Sequence, residues 1–200
     1  HIIVSKGDSD FTSVIGIRDL PISFSRITDL SRLSWQMADG KIDFLTARSV
    51  LPRICNCACV NPWLLLLLVS LANASFCRLF SGDPMAMATV FIATFIGFLV
   101  KQILVRRHMD IRLTVLFCSF LSAMIAAAGS LLGIGGTPEI AVATSVLYLV
   151  PGIPFINSFC DLLDRHYLCA FGRAMNAVML LCCLSLGLCA GMAVMHMAMF

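Results

Sequence analysis

Leu149-Val-Pro-Gly-Ile-Pro-Phe-Ile-Asn-Ser-Phe-Cys-Asp-Leu-Leu-Asp164 decides how this chain is read. It overlaps a stretch, residues 140–160, with no Asp, Glu, Lys or Arg. That stretch reaches the ~20 residues a helix needs to cross ~30 Å of hydrocarbon. Yet Pro151 and Pro154 each lack a backbone donor, and Gly152 loosens the helix between them. In a bilayer, carbonyls freed by such a break must be satisfied by neighbours, water or a ligand. Discontinuous helices of this kind form substrate sites near the membrane midplane, with the new N-terminus facing an anion. Asn157, Ser158, Asp161 and Asp164 follow within three turns, and Asn157, Asp161 and Asp164 share a face at i, i+4, i+7. Spacing alone also allows a kinked helix with a polar tail, in which Asp161, Asp164 and Arg165 are interfacial charges.

Working outward, residues 113–138 and 174–200 are also free of Asp, Glu, Lys and Arg. The whole chain is 60% hydrophobic and 12% charged, with a mean hydropathy of +0.95, which points away from a water-soluble domain. The expected fold class is mainly α: a polytopic membrane protein of five transmembrane helices preceded by a small cytoplasmic α+β module. The module is placed at residues 1–57 and the bundle at 58–200, with spans at 62–80, 85–104, 113–132, 140–159 and 174–199. Pro62 suits a first helical turn, and Arg78 to Pro84 and Gly133 to Glu139 read as tight connections. Residues 161–173 read as a polar connection before the last span.

Seven of the 14 Lys/Arg precede the first span. Lys101, Arg106, Arg107 and Arg112 bracket the second connection, and Arg165 and Arg173 precede the last span. Five spans with the N-terminus inside leave only Arg78 outside; four spans with a re-entrant segment weaken the bias. The positive-inside rule therefore predicts a cytoplasmic N-terminus and an external C-terminus. A net charge of +3, dispersed along the chain, gives no footing for a nucleic-acid partner.

In the first 57 residues, His1–Ser5 and Phe11–Ile22 have strand composition, and Lys6-Gly-Asp-Ser-Asp10 is turn chemistry. A lone hairpin is marginal, so two amphipathic helices, Ser25–Met37 and Asp43–Arg53, are expected to cover it. His1-Ile-Ile-Val carries neither Met nor a basic leader, which leads us to expect a chain that continues upstream.

Other features are weaker. Cys77, Cys118, Cys160, Cys182, Cys183 and Cys189 lie in or at the end of apolar runs and read as reduced, small hydrophobes. Cys55-Asn-Cys57-Ala-Cys59 lacks the spacing of a zinc site, so neither metal nor cofactor is expected. Asn176, one turn into the last span, is a substrate contact or interhelical glue. Gly187 and Gly191, and Gly129 and Gly133, have the spacing of close helix packing. His196 is a candidate for a proton relay. Met85, Met87, Met192, Met195, Met197 and Met199 are expected to face lipid. No H-E-x-x-H, G-x-S-x-G or Walker loop occurs, so catalysis is not expected.

Leu149-Val-Pro-Gly152, Asn157, Asp161-Leu162, Gly172 and Arg173 together resemble the threonine/serine exporter family. Phe11-Thr-Ser-Val-Ile-Gly-Ile-Arg18 is similar to its cytoplasmic β segment, and Ser31-Arg-Leu33 and residues 42–54 to its pre-membrane helices. The resemblance covers nearly the whole chain, without the helices that precede the β segment in the family and without a second membrane half. It implies a subunit in a bacterial inner membrane, exporting threonine, serine or a related small metabolite, in a two-subunit form with a smaller membrane partner. Some members look like succinate exporters. Under this resemblance the substrate site comprises Pro151, Gly152, Pro154, Asn157, Ser158, Asp161 and Asn176, with Asp161 or Asp164 carrying the coupling proton. The competing readings are a dicarboxylate exporter subunit and an assembly or regulatory membrane subunit.

Overall fold

Among the described residues, four helices are long and apolar enough to cross a membrane, and a fifth crossing is available to a helix pair bent by 62°. They belong to a computed structural model that describes residues 2–6, 9–13, 23–55, 61–131 and 136–195. The chain divides into two compact units, residues 1–60 and 61–200.

In the first unit, β1 (Ile2–Lys6) and β2 (Ser9–Ser13) pair antiparallel, with Ile2 opposite Ser13 and Lys6 opposite Ser9. The second strand starts two residues earlier than the composition suggested; most of its expected course lies outside the described residues. Helices α1 (Phe24–Ala38) and α2 (Phe44–Cys55) lie within two residues of their expected bounds. They pack on each other and bury Leu33 and Ala47. Among the described residues of this unit, the substantial packing joins β1 to β2 and α1 to α2; the expected helical cover over the hairpin is not part of it. Gly40, at φ +69°, closes α1: Lys41 N–H reaches the Gln36 carbonyl and Gly40 N–H that of Met37.

The second unit opens with α3 (Pro62–Leu79), whose first turn is set by Pro62 and by Asn61 Oδ1 accepting from Trp63 N–H at 3.1 Å. Then come α4 (Pro84–Arg106), α5 (Ile111–Leu131), α6 (Pro138–Ser145), a 3-10 turn (Leu147–Leu149), α7 (Gly152–Leu163) and α8 (Tyr167–Val194). Leu66 is buried, while Leu64, Leu65, Leu67 and Leu68 around it are exposed. An apolar surface that continuous is stable in lipid, not in water. Three tight turns reuse the closure seen at Gly40 with side chains in the left-handed region: Ser81 (φ 67°), His108 (φ 57°) and Arg165 (φ 63°).

The core is built on α5 and α8. Gly187 and Gly191 are buried against α5, where a Cβ on Gly187 would strike the Leu116 carbonyl oxygen and one on Gly191 would lie 2.7 Å from Ala123 Cβ. Small residues let the two backbones approach. Ser119 Oγ then donates across the gap to the Leu184 carbonyl at 2.7 Å. Val115, Cys118, Val146, Leu149, Leu180 and Leu184 fill the space between α5, the broken span and α8.

Two expectations need correction. Residues 161–173 are not a connection: α7 runs to Leu163, the turn is only Asp164–His166, and α8 starts at Tyr167, seven residues before the expected start. Asp161 lies on α7 and Arg173 on α8, and the two pair across the turn. Nor are the methionines all lipid-facing. Met85 is exposed, but Met87 packs on Cys77, Ala86, Val90 and Ala141, and Met192 and Met195 on Ala126, Ala127 and Val142. Cys57, Cys59, Gly133, His196, Met197 and Met199 lie outside the described residues.

Candidate functional site

The break between the two halves of the bent helix pair is the work of Pro151. It has no N–H to continue the ladder from α6, so the chain tightens into the 3-10 turn and ends in Val150 with extended backbone. Gly152 N–H turns back to the Val150 carbonyl at 2.9 Å. Among the described residues, no backbone N–H is donated to the carbonyls of Tyr148 and Leu149. Pro154, by contrast, is the third residue of α7, where an N–H would have no acceptor within the helix, so it breaks nothing. Pro151 caps the N-terminus of α7 and is buried; Gly152 has open space around it.

The side chains after the break divide by face. Ser158 is buried and its Oγ donates to the Ala170 carbonyl at 2.7 Å, tying α7 to α8. One turn on, Asp161 Oδ2 lies 2.7 Å from Arg173 Nη1. That contact is a charge pair without the alignment of a hydrogen bond, which leaves Oδ2 enclosed and geometrically unsatisfied. Asn157, Asp164 and Asn176 are exposed on the single chain. The structure therefore brings Ser158 and Asp161 together against α8 and leaves Asn157, Asp164 and Asn176 outside that contact. An apolar groove of about 600 Å³ runs beside them, lined by Phe155, Phe159, Leu162 and Phe171 among others. Neither Asp161 nor Arg173 lines it.

A second set of polar contacts surrounds the break from the other side. Ser122 Oγ of α5 and Tyr148 Oη of the 3-10 turn are 2.9 Å apart. Lys101 Nζ of α4 lies over the rings of Phe98 and Tyr148, 5.8 and 5.9 Å from their centroids. Gly97 makes room for this: a Cβ there would collide with Tyr148 Oη and Ser122 Oγ. Further along, Asn73 Nδ2 of α3 donates to Thr94 Oγ1 at 2.6 Å and to the Thr144 carbonyl at 3.0 Å. Sequence reasoning put Lys101 inside the second span but counted it only among the charges bracketing the next loop, and passed over Asn73, Thr94, Ser122 and Tyr148. The available signal was a lone lysine and a lone amide inside apolar runs, since polar groups are rare there without a role.

The family described as "Putative threonine/serine exporter" matches residues 1–195. The chain belongs to that family of transporters. Two curated relatives, from Escherichia coli (strain K12) and Klebsiella aerogenes, carry the name "Probable succinate transporter subunit YjjP". Each is 36% identical over 107 residues, which is 52% of this chain and 41% of the relative. The match thus spans less than half the length of these relatives. No solved structure matches the chain. Among the described residues, no group of three His, Cys, Asp or Glu side chains is placed to hold a metal ion.

Proposed function

We propose that this chain is one subunit of a secondary transporter in a bacterial inner membrane, exporting threonine, serine or a related small metabolite in exchange for protons. The observation that carries the reading is the break at Pro151, with carbonyls that accept no backbone N–H among the described residues on one side and the Asp161–Arg173 pair on the other. Discontinuous helices supply backbone groups to polar solutes at a depth where water is scarce. In this reading the substrate lies at Pro151, Gly152 and Pro154, and a second membrane subunit completes the site with its equivalent segment. Asn157, Ser158 and Asn176 are its neighbours. Asp161 is the coupling carboxylate, releasing Arg173 when it takes a proton, and Asp164 is the second candidate. Residues 1–57 form a small cytoplasmic α+β module, and the Lys/Arg distribution favours an internal N-terminus and an external C-terminus.

Threonine efflux from dipeptide-loaded cells tests this, with the complete chain expressed alone and with its partner. Efflux that needs both is the expected outcome. No efflux in either case, with both proteins in the membrane, removes threonine as the solute. The names of the two relatives favour a second reading, a dicarboxylate exporter subunit, so succinate efflux is measured in the same cells.

A further inference from the structure

We propose that Lys101 is the anion-binding group of this transporter, holding a carboxylate of the solute at the break in the fourth crossing. The inference rests on the transport reading above.

Lys101 sits within α4, five residues before Arg106, on the order of 7 Å from the end of the helix at 1.5 Å per residue. A lysine so placed has an inexpensive alternative: extending toward the nearer interface with its charge in water. It does not take that route. Its ammonium is turned back over Phe98, three residues earlier, and over Tyr148. Tyr148 belongs to the 3-10 turn that ends three residues short of Gly152, and twelve-residue helical segments flank the break, Pro138–Leu149 and Gly152–Leu163. The charge is therefore held near the middle of the broken crossing.

Nothing in the described chain neutralises it. Arg173 pairs with Asp161, so the acidic residue nearest the break in sequence is already engaged. Aromatic faces attract an ammonium but do not cancel its charge, and the attraction is weaker than an ion pair in the same surroundings. Two rings therefore hold the ammonium in place and leave it exchangeable. The rings are fixed in turn. Tyr148 Oη and Ser122 Oγ are 2.9 Å apart, Phe98 meets Tyr148 edge-on at 6.1 Å, and Gly97 keeps the gap open.

The backbone at the break complements Lys101 chemically. The carbonyls of Tyr148 and Leu149 accept nothing from the described backbone and suit a donor such as an ammonium or hydroxyl. A small solute with a carboxylate and a donor group meets both. A carboxamide of the same shape meets only the carbonyls.

The test uses the complete transporter, full chain and partner, in proteoliposomes. Counterflow of labelled threonine or succinate is competed by unlabelled carboxylate and by the matching carboxamide, threoninamide or succinamide. Wild type is expected to prefer the carboxylate at least tenfold. Lys101→Gln should bring that preference below threefold, and Lys101→Arg should keep it. A Lys101→Gln complex that transports and retains the tenfold preference overturns the inference. Should Lys101→Gln fail to assemble, reductive methylation of wild type decides. The carboxylate, and not the carboxamide, should protect Lys101 from labelling as read by mass spectrometry; equal labelling overturns the proposal. A wild-type complex that moves neither solute is a different result, and it removes the transport reading itself.

Discussion

Arg173 Nη1 stands 2.7 Å from Asp161 Oδ2, one turn along from the Ser158–Ala170 hydrogen bond that also joins α7 to α8. The arginine is half-exposed, and an ion pair so placed is worth about 0–1 kcal/mol. Its interest is as a contact that protonation of Asp161 would release. Asp161→Asn is expected to lower efflux driven by an imposed pH gradient at least tenfold, while shifting stability by less than about 1 kcal/mol. Efflux in proteoliposomes and a thermal melt in detergent measure the two effects. Full proton-driven efflux from the variant would take Asp161 out of coupling.

The seam between α5 and α8 tolerates no side chain at Gly187. Gly187→Ala should destabilise by about 1–3 kcal/mol through overpacking against the Leu116 carbonyl, and Gly187→Leu should prevent the bundle from forming. Gly172→Ala is the control, because a Cβ there meets nothing within 4 Å. The yield of monodisperse protein and its melting temperature check the contrast.

Asn73 is buried in α3 and holds α4 through Thr94 and α6 through the Thr144 carbonyl. Interhelical hydrogen bonds in lipid average about 0.6 kcal/mol, because the separated helices also find partners. Asn73→Leu and Thr94→Val, alone and together, should give a coupling energy of about 0.6 kcal/mol, at most about 1.7. A coupling indistinguishable from zero would mean that shape alone holds these three helices.

His108 closes α4 at φ 57°, a conformation in which a Cβ is disfavoured by roughly 1–2 kcal/mol. Met109 N–H reaches the Leu104 carbonyl and His108 N–H that of Val105, so the turn itself needs only backbone. His108→Gly should therefore raise the stability of the isolated chain by about 1 kcal/mol. A fall in melting temperature would reveal a contact of the imidazole that outweighs the strain.

Apolar length was legible in the sequence, so α3, α4 and α5 fall within two residues of their expected bounds. Pro151 also declared the break, because a missing N–H is a local fact that no packing can restore. What the sequence hid was the far end of that segment. Asp161 and Arg173 read as loop charges because each is polar; they lie on α7 and α8 and pair across the turn at Arg165. The candidate residues divide in the same manner. Ser158 and Asp161 follow the break at helical spacing, whereas Lys101, Ser122 and Tyr148 come from three separate elements and meet only after folding. Met192 shows the limit for the core: a methionine near a helix end reads as lipid-facing until its neighbours, Ala126 and Ala127, prove small enough to receive it.

Helix α8 has 28 residues, hence a length of about 42 Å at 1.5 Å per residue, against a hydrocarbon core of about 30 Å. Standing upright, it would push close to two turns out of the oily layer; leaning by about 45°, it would fit within it. The two postures differ in where Arg173 and Asp161 sit relative to the lipid headgroups. A thicker bilayer favours the upright posture and a thinner one the leaning posture. Acyl-chain length in the surrounding lipid thus becomes a control on how deeply this charge pair is immersed.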